Sequence, residues 1–334
     1  MRILALAFLY LLVTGFTAWG AFALYFSYPD NMMLGTFLPV GVVMGGIAVL
    51  VGLAVSRWRL TALGGFICML AGLLIWWGGI EPSNDRQWKP EVAIAPYATA
   101  DGDMVTMHNI RNFDYRSETD FTAAYYDKTF DLRELDAVDL IASYWAGPDI
   151  AHIFLSFGFG LDEHLAISIE RRDEIGEGYS TVKGLFRQFE LVYVVADERD
   201  VIRLRTNYRR DPPEDVYLYR AVGPIENTRR LFMGYIQEIN SLKEKPEFYN
   251  TLLTNCTNNI WLHTRVNPGH IAYSWKVLLS GHVPEYLYDQ GRLDTSLPFT
   301  ELRARSRIND RAHAHGGDAD FSRHIREGIA GISF

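Results

Sequence analysis

Cys256 is the residue whose type and setting point most directly to chemistry. It is the only thiol beyond the first eighty residues; the other cysteine, Cys68, lies in an apolar run and reads as packing. The stretch Asn255-Cys256-Thr257-Asn258-Asn259 sits where a loop is predicted to enter a helix. A thiol in the first turn of a helix feels the positive end of the helix dipole and unpaired backbone N–H groups, which favour the thiolate. The same N–H groups can hold an oxyanion, with Asn255 and Thr257 positioning the turn. The plainer role for a lone cysteine is that of a small buried hydrophobe.

A nucleophilic thiol needs a base within hydrogen-bond reach. Of nine histidines, His152 heads the apolar run His152–Phe159, where an imidazole is either a base or a half-buried packing residue. His263 follows Cys256 by seven residues on one predicted helix, about 10 Å along its axis and beyond contact. A third group must orient the imidazole. Glu170 and Ser168, on the next predicted strand, are the candidates, and which of them shares a face with His152 depends on the register of the turn. Arg111 and Asn112, set among aromatics in Asn109–Arg116, suit a phosphate or carboxylate. Asp197–Arg205 reads as ion pairs. His313, His315 and Asp318 lack diagnostic metal spacing. With no Walker loop, GxGxxG, HExxH or GxSxG, no cofactor or metal is expected.

The elements that must position these groups divide at residue 80. Of the charged residues, only Arg2, Asp30, Arg57 and Arg59 fall in the first eighty positions, and the apolar runs Ile3–Phe26, Leu34–Val55 and Leu60–Ile80 are each long enough to span a bilayer. Ile3–Phe26 is too long for the apolar region of a cleaved signal. The basic residues lie before span one and between spans two and three, which places the N-terminus in the cytoplasm and residue 81 onward outside it, in the periplasm of a Gram-negative cell. The chain has 32 Lys and Arg against 40 Asp and Glu, and the acidic excess falls wholly beyond residue 80. That balance opposes a nucleic-acid groove. Two cysteines exclude a disulfide scaffold.

Residues 81–100 read as a linker, 101–297 as one extramembrane domain and 298–334 as a tail. Strands are predicted over 103–113, 152–159, 165–170, 189–196, 201–206 and 216–220. Helices are predicted over 131–145, over 227–242 with a cap at Asn227 or Thr228, and over 257–264.

Several motifs in one order resemble a known family. Asn109-Ile110-Arg111-Asn112-Phe113, Ile150-Ala151-His152 with Ser156-Phe157-Gly158-Phe159, Ser168-Ile169-Glu170-Arg171-Arg172, and Phe248-Tyr249 leading to Thr254-Asn255-Cys256-Thr257 are similar to the N-terminal periplasmic domain of Lnb-type lipoprotein N-acyltransferases. The resemblance covers residues 100–295 or so. It implies an α+β, permuted papain-like fold of the NlpC type, with an antiparallel sheet and helices, shared with lecithin:retinol acyltransferase. It further implies Cys256 as nucleophile and His152 as base, with Glu170 as the candidate third member. It implies a phospholipid acyl donor and a lipoprotein N-terminus as acceptor. Arg111, Asn112, Tyr249 and Arg171 are the candidate substrate contacts. Here the three spans precede the catalytic region, so the resemblance is to a domain and leaves the acceptor open. A periplasmic cysteine amidase acting on peptidoglycan, or a non-catalytic envelope protein, would use the same framework.

The charge pattern of the spans is directly testable. A reporter that works only outside the cytoplasm, fused after Phe334, is expected to be active; activity of a cytoplasmic reporter at the same point would reverse the topology.

Overall fold

A computed structural model describes residues 2–28, 31–160, 162–178 and 180–332, with only the backbone of Arg2. Asp30, in the loop used to read topology, lies outside the described residues. The chain forms two compact units, one of residues 1–83 with 179–189 and the other of residues 84–178 with 190–334.

The first unit is built on three apolar helices, α1 (Arg2–Ser27), α2 (Met32–Ala54) and α3 (Arg59–Gly78), each long and apolar enough to cross a membrane. Small residues let them approach. A side chain at Gly46 of α2 would collide with Thr17 of α1, as expected where lipid supplies no hydrophobic drive and close packing must do the work. Tyr10 also donates to the Leu50 carbonyl at 3.0 Å. Residues 180–189 belong to this unit although the chain leaves it at residue 83. Phe186 packs on Phe22 and Phe26, with ring centroids 6.1 and 5.3 Å apart. Arg187 donates to the carbonyls of Trp77 and Ile80 at 2.6 and 3.1 Å.

The second unit starts with β1 (Tyr97–Asp101), β2 (Met104–Arg111), β3 (Asp114–Tyr115), β4 (Phe121–Thr122), β5 (Tyr125–Asp131), β6 (Leu135–Tyr144), β7 (Ala151–Phe159), β8 (Glu163–Arg172) and β9 (Glu190–Ala196). Then come α4 (Glu198–Arg203), β10 (Asp215–Arg220), α5 (Ile225–Glu244), α6 (Cys256–Thr264), α7 (Trp275–Leu278), α8 (Val283–Asp289), α9 (Phe299–Ser306), α10 (Asn309–Ala314) and α11 (Phe321–His324). The main sheet runs β1-β2-β9-β8-β7-β6-β10, with β5 also on β2. Its pairings are antiparallel apart from a single parallel bridge between β2 and β9. The α+β architecture with a largely antiparallel sheet is the expected one.

Each face of the sheet carries a core. Ile153, Leu155 and Phe157 of β7 pack with Leu231, Phe232 and Tyr235 of α5 on one side. On the other, Phe154, Val194 and Leu218 meet Ile308, Ala312, Phe321 and Ile325. Residues 298–332 therefore supply part of a core. Within it Arg326, 1% exposed, pairs with Asp139 at 2.9 Å and Glu198 at 2.6 Å, and Ser156 donates to Glu198 at 2.5 Å.

Two expectations are corrected. The predicted helix over 131–145 is the end of β5 and the whole of β6. This strand is buried on both faces, so its apolar residues show no alternation and their spacing mimics a helical stripe. The predicted strand over 201–206 is the end of α4 and a π-helical turn, Leu204–Tyr208. Asp197 caps α4 by accepting from the Arg199 N–H at 2.9 Å, and a short apolar run cannot by itself distinguish helix from strand. The long predicted helix is present as α5, but it starts after Pro224 with no side-chain cap.

The buried triad makes a stability prediction. Arg326→Ala strips buried Glu198 of its guanidinium partner, while Asp139 keeps Arg220 at 2.5 Å, and should destabilise the chain by about 3–5 kcal/mol. Denaturation in detergent followed by tryptophan fluorescence reads this; a loss under about 1 kcal/mol, the value of a surface pair, would refute it.

Candidate active site

The site forms where two neighbouring strands part. The β7–β8 ladder runs from Phe159 opposite Glu163 to Leu155 opposite Ile167 and goes no further. Beyond it β7 continues to Ala151 on β6 alone, and β8 continues to Arg172 on β9 alone. Helix α6 contacts both strands, and Cys256 is its first residue. The N-cap is Asn255, whose side-chain oxygen accepts from the Asn258 N–H at 2.8 Å. Its amide also donates to the Thr251 carbonyl at 2.9 Å, fixing the turn that presents the thiol.

Register puts His152, Ser168 and Glu170 on one face. His152 Nε2 lies 2.7 Å from Ser168 Oγ, and Ser168 Oγ donates to Glu170 Oε1 at 2.7 Å. Since the serine proton is spent on the carboxylate, its oxygen accepts from Nε2–H. That assignment leaves Nδ1 of His152 for the thiol. Glu170 Oε1 is also 3.5 Å from Nε2 and receives Arg205 Nη2 at 3.2 Å. Arg205 comes from the π-helical turn, a local rearrangement often found at functional sites. It also pairs at 3.2 Å with Glu214, which accepts from Ser143 and from Arg209.

The electrostatics follow from this line of groups. Burial pushes the Cys256 thiol up, but the His152 charge and hydrogen bond, with the backbone N–H groups of Ile153 and Thr257, bring it below the ordinary thiol range. Burial and the Arg205 charge push His152 down, yet Cys256 and Glu170 carry it above the usual imidazole value. Burial would raise Glu170, but the His152 hydrogen bond and the Arg205 charge hold it well below the carboxylate range. The arrangement favours a thiolate–imidazolium pair backed by a carboxylate. The Ile153 and Thr257 donors converge on the sulfur as oxyanion-binding groups would.

An apolar groove takes in Ile153 and Thr257, the residues that follow His152 and Cys256 in the chain, while His152 and Cys256 themselves do not line it. Leu140 and Leu155 of the sheet, Leu231 of α5, and Ile260 and Trp261 of α6 line it, and Arg292 is its charged residue. Of the aromatics flanking the site in sequence, Phe157 and Phe159 instead pack on Phe232, with centroids 5.1 and 5.5 Å apart, and Phe154 faces the other core.

The sequence-predicted residues thus separate. Cys256, His152, Ser168, Glu170, Asn255 and Thr257 come together. Arg111, expected to bind substrate, is buried; its guanidinium grips Asp200 at 2.7 Å and the Glu91 carbonyl at 2.9 Å. Asn112 uses its backbone N–H on the Ala124 carbonyl, at 2.9 Å. Arg171 pairs with Asp173 at 2.9 Å, and Tyr249 packs against the main core. None of these four lines the groove. Sequence reasoning missed the Ile153 N–H, freed where β7 leaves β8, and the role of Arg205, visible only as one cation in an ion-pair run. His263 is half-buried, contacts Tyr193 at 2.7 Å and is pushed down to about 4 by desolvation. Among the described residues one group could hold a metal: the donor atoms of His315, Asp318 and His324 lie within 4.8 Å of one another. They already have local partners, His315 on Asp318 at 2.8 Å and His324 on Glu327 at 2.9 Å. His313 points to the Thr206 carbonyl.

Residues 121–281 match the family model of the Lnb N-terminal periplasmic domain. This is the family that the sequence motifs resemble, and the Lnb-type match takes in His152, Ser168, Glu170 and Cys256. With the three apolar helices, it makes the chain a membrane protein with an extracytoplasmic domain. The searches of curated proteins and of solved structures each found no match.

The pairing of Cys256 with His152 predicts a pH profile. Alkylation by iodoacetamide tracks thiolate, so the wild-type rate should persist well below the ordinary thiol value of about 8.5. His152→Ala should move the inflection up and cut the rate near pH 6.5 by about tenfold or more. Ser168→Ala should fall between. Identical profiles for wild type and His152→Ala would separate the two groups chemically.

Proposed function

We propose that the extracytoplasmic domain is a cysteine acyltransferase that draws its acyl chain from phospholipid. The observation that carries the reading is the apolar groove lined by Ile153 and Thr257, whose N–H groups favour the Cys256 thiolate. A thioester carbonyl formed on Cys256 would set its oxygen among those donors, with the groove beside it for the hydrocarbon chain. Burying a methylene is favourable by about 0.8 kcal/mol, so a long chain is a well-matched occupant, whereas a peptide would leave its backbone groups unpaired against aliphatic walls.

In the proposed reaction the Cys256 thiolate attacks an ester carbonyl of the phospholipid. The ester C–O bond breaks, the His152 imidazolium protonates the departing glycerol oxygen, and lyso-phospholipid leaves. His152, again neutral, takes a proton from an acceptor amine as its nitrogen attacks the thioester. An amide forms and the thiol is restored. Ser168 and Glu170 act through the imidazole, holding its Nε2–H and stabilising its charge. The family suggests a lipoprotein N-terminus as acceptor and the inner membrane as location. Three spanning helices in the same chain would raise the effective concentration of a bilayer donor.

Full-length protein in liposomes containing phospholipid with a labelled acyl chain should gain the mass of one chain on Cys256, and Cys256→Ala should gain none. A hydroxyl is far less ionised than a thiol at neutral pH, so Cys256→Ser should fold and lose transfer. Cleavage of muropeptides with the lipid untouched would replace the acyltransferase by an amidase.

A further inference from the structure

The stretch around Cys256 departs from the rest of the second unit in its charge. Residues 248–284 contain no Asp or Glu, although the chain has 40, and their only cations are Arg265 and Lys276. Large apolar side chains in this stretch face solvent: Leu252 and Leu253 are 52% and 71% exposed before α6, and Trp275 is 58% exposed after it, followed by Leu278 and Leu279.

These exposed residues are two parts of one face. Asn258, in the first turn of α6, donates to the Leu252 carbonyl at 2.5 Å and accepts from the Tyr273 hydroxyl at 3.0 Å. Thr257 donates to the Val277 carbonyl at 2.7 Å and Trp261 to the Ile271 carbonyl at 3.1 Å. The loop before α6 and the segment from 271 to 279 are thus tied to the same helix turn that carries the thiol, and Ile271 and Val277 also line the groove.

We infer that this apolar face, at whose rim Lys276 pairs with Glu285 and Asp289 and His282 with Asp149, seats in the headgroup–acyl boundary of a phospholipid bilayer, so that the groove fills from the membrane without its occupant crossing water. The inference rests on the acyltransferase reading and deepens it by assigning where the donor is met. Two features select the bilayer as occupant. The chain carries three helices long and apolar enough to cross it. Exposed Trp and Tyr flanked by Leu are the side chains that suit an interface, with an apolar body and a polar tip.

The test uses the full chain in liposomes of phosphatidylethanolamine and phosphatidylglycerol. In a Cys68→Ala, Cys256→Ser background, single cysteines replace Leu253, Leu278 or, as control, Asp310 of α10, which is 90% exposed. Each carries a bimane label, read with and without brominated acyl chains. An interfacial face lies about 5–10 Å into the headgroup region, close enough for bromine contact. Emission at positions 253 and 278 should fall about twofold with brominated lipid, with the control unchanged. No quenching at 253 and 278, or equal quenching at 310, overturns the proposal. So does concentration-dependent cross-linking at 253 without bromine quenching, which would make the face a contact between copies. The background lacks the thiol, so depth is read independently of transfer. Quenching without acyl loading of wild type would sink the reaction and leave the docking face, and loading without quenching would do the reverse.

Discussion

A half-buried carboxylate at Glu170 is the constraint on which the site depends. Taking a charge out of water is expensive unless it is paired and fully hydrogen-bonded. Glu170 meets that demand through Ser168, His152 and Arg205, and Arg205 in turn is matched by Glu214. The line therefore runs from the thiol through the imidazole, hydroxyl, carboxylate and guanidinium to a second carboxylate. Each member is compensated by the next, so a change at Arg205 or Glu214 would be felt at His152 although neither touches it.

The sheet makes room for this line by giving up part of a ladder. Parting β7 from β8 exposes backbone groups that would otherwise pair, and the start of α6 contacts the two strands there. The Ile153 N–H then reaches the Cys256 sulfur, together with the Thr257 N–H at the helix start. A loss of strand pairing thus leaves a backbone donor at the thiol. Its neighbour is an aliphatic groove whose walls are the same residues that form the core beyond it, Leu140, Leu155 and Leu231.

The second core lies on the face of the sheet that also carries the His152, Ser168 and Glu170 side chains. Phe154 lies between His152 and Arg205, 5.6 Å from the imidazole ring and 5.5 Å from the guanidinium. It belongs to the core that residues 308–329 complete. Arg326 holds Asp139 of β6 and Glu198 of α4, so the C-terminal segment braces both the strand beside β7 and the helix that leads to Arg205. Burial holds Glu198 under competing influences, and the Arg326 charge draws it down to about 2.

The sequence by itself determined what local chemistry decides. The three spans follow from uninterrupted apolar runs, and the helix start at Cys256 from a capping Asn before it. The strands carrying His152 and Ser168–Glu170 follow from short apolar runs bounded by a turn. Those signals depend on neighbours along the chain. Tertiary structure decided the rest. Whether 135–144 is helix or strand rests on burial on both faces, which erases periodicity. That His152, Ser168 and Glu170 share a face depends on register across a turn. That Arg111 serves Asp200 while Arg205 serves Glu170 depends on which carboxylate each fold element brings near, and two arginines in an ion-pair-rich sequence carry no mark of that difference. The stretch at 248–284, without Asp or Glu, is legible as a composition, but only folding ties its separated parts to the helix turn that carries the thiol.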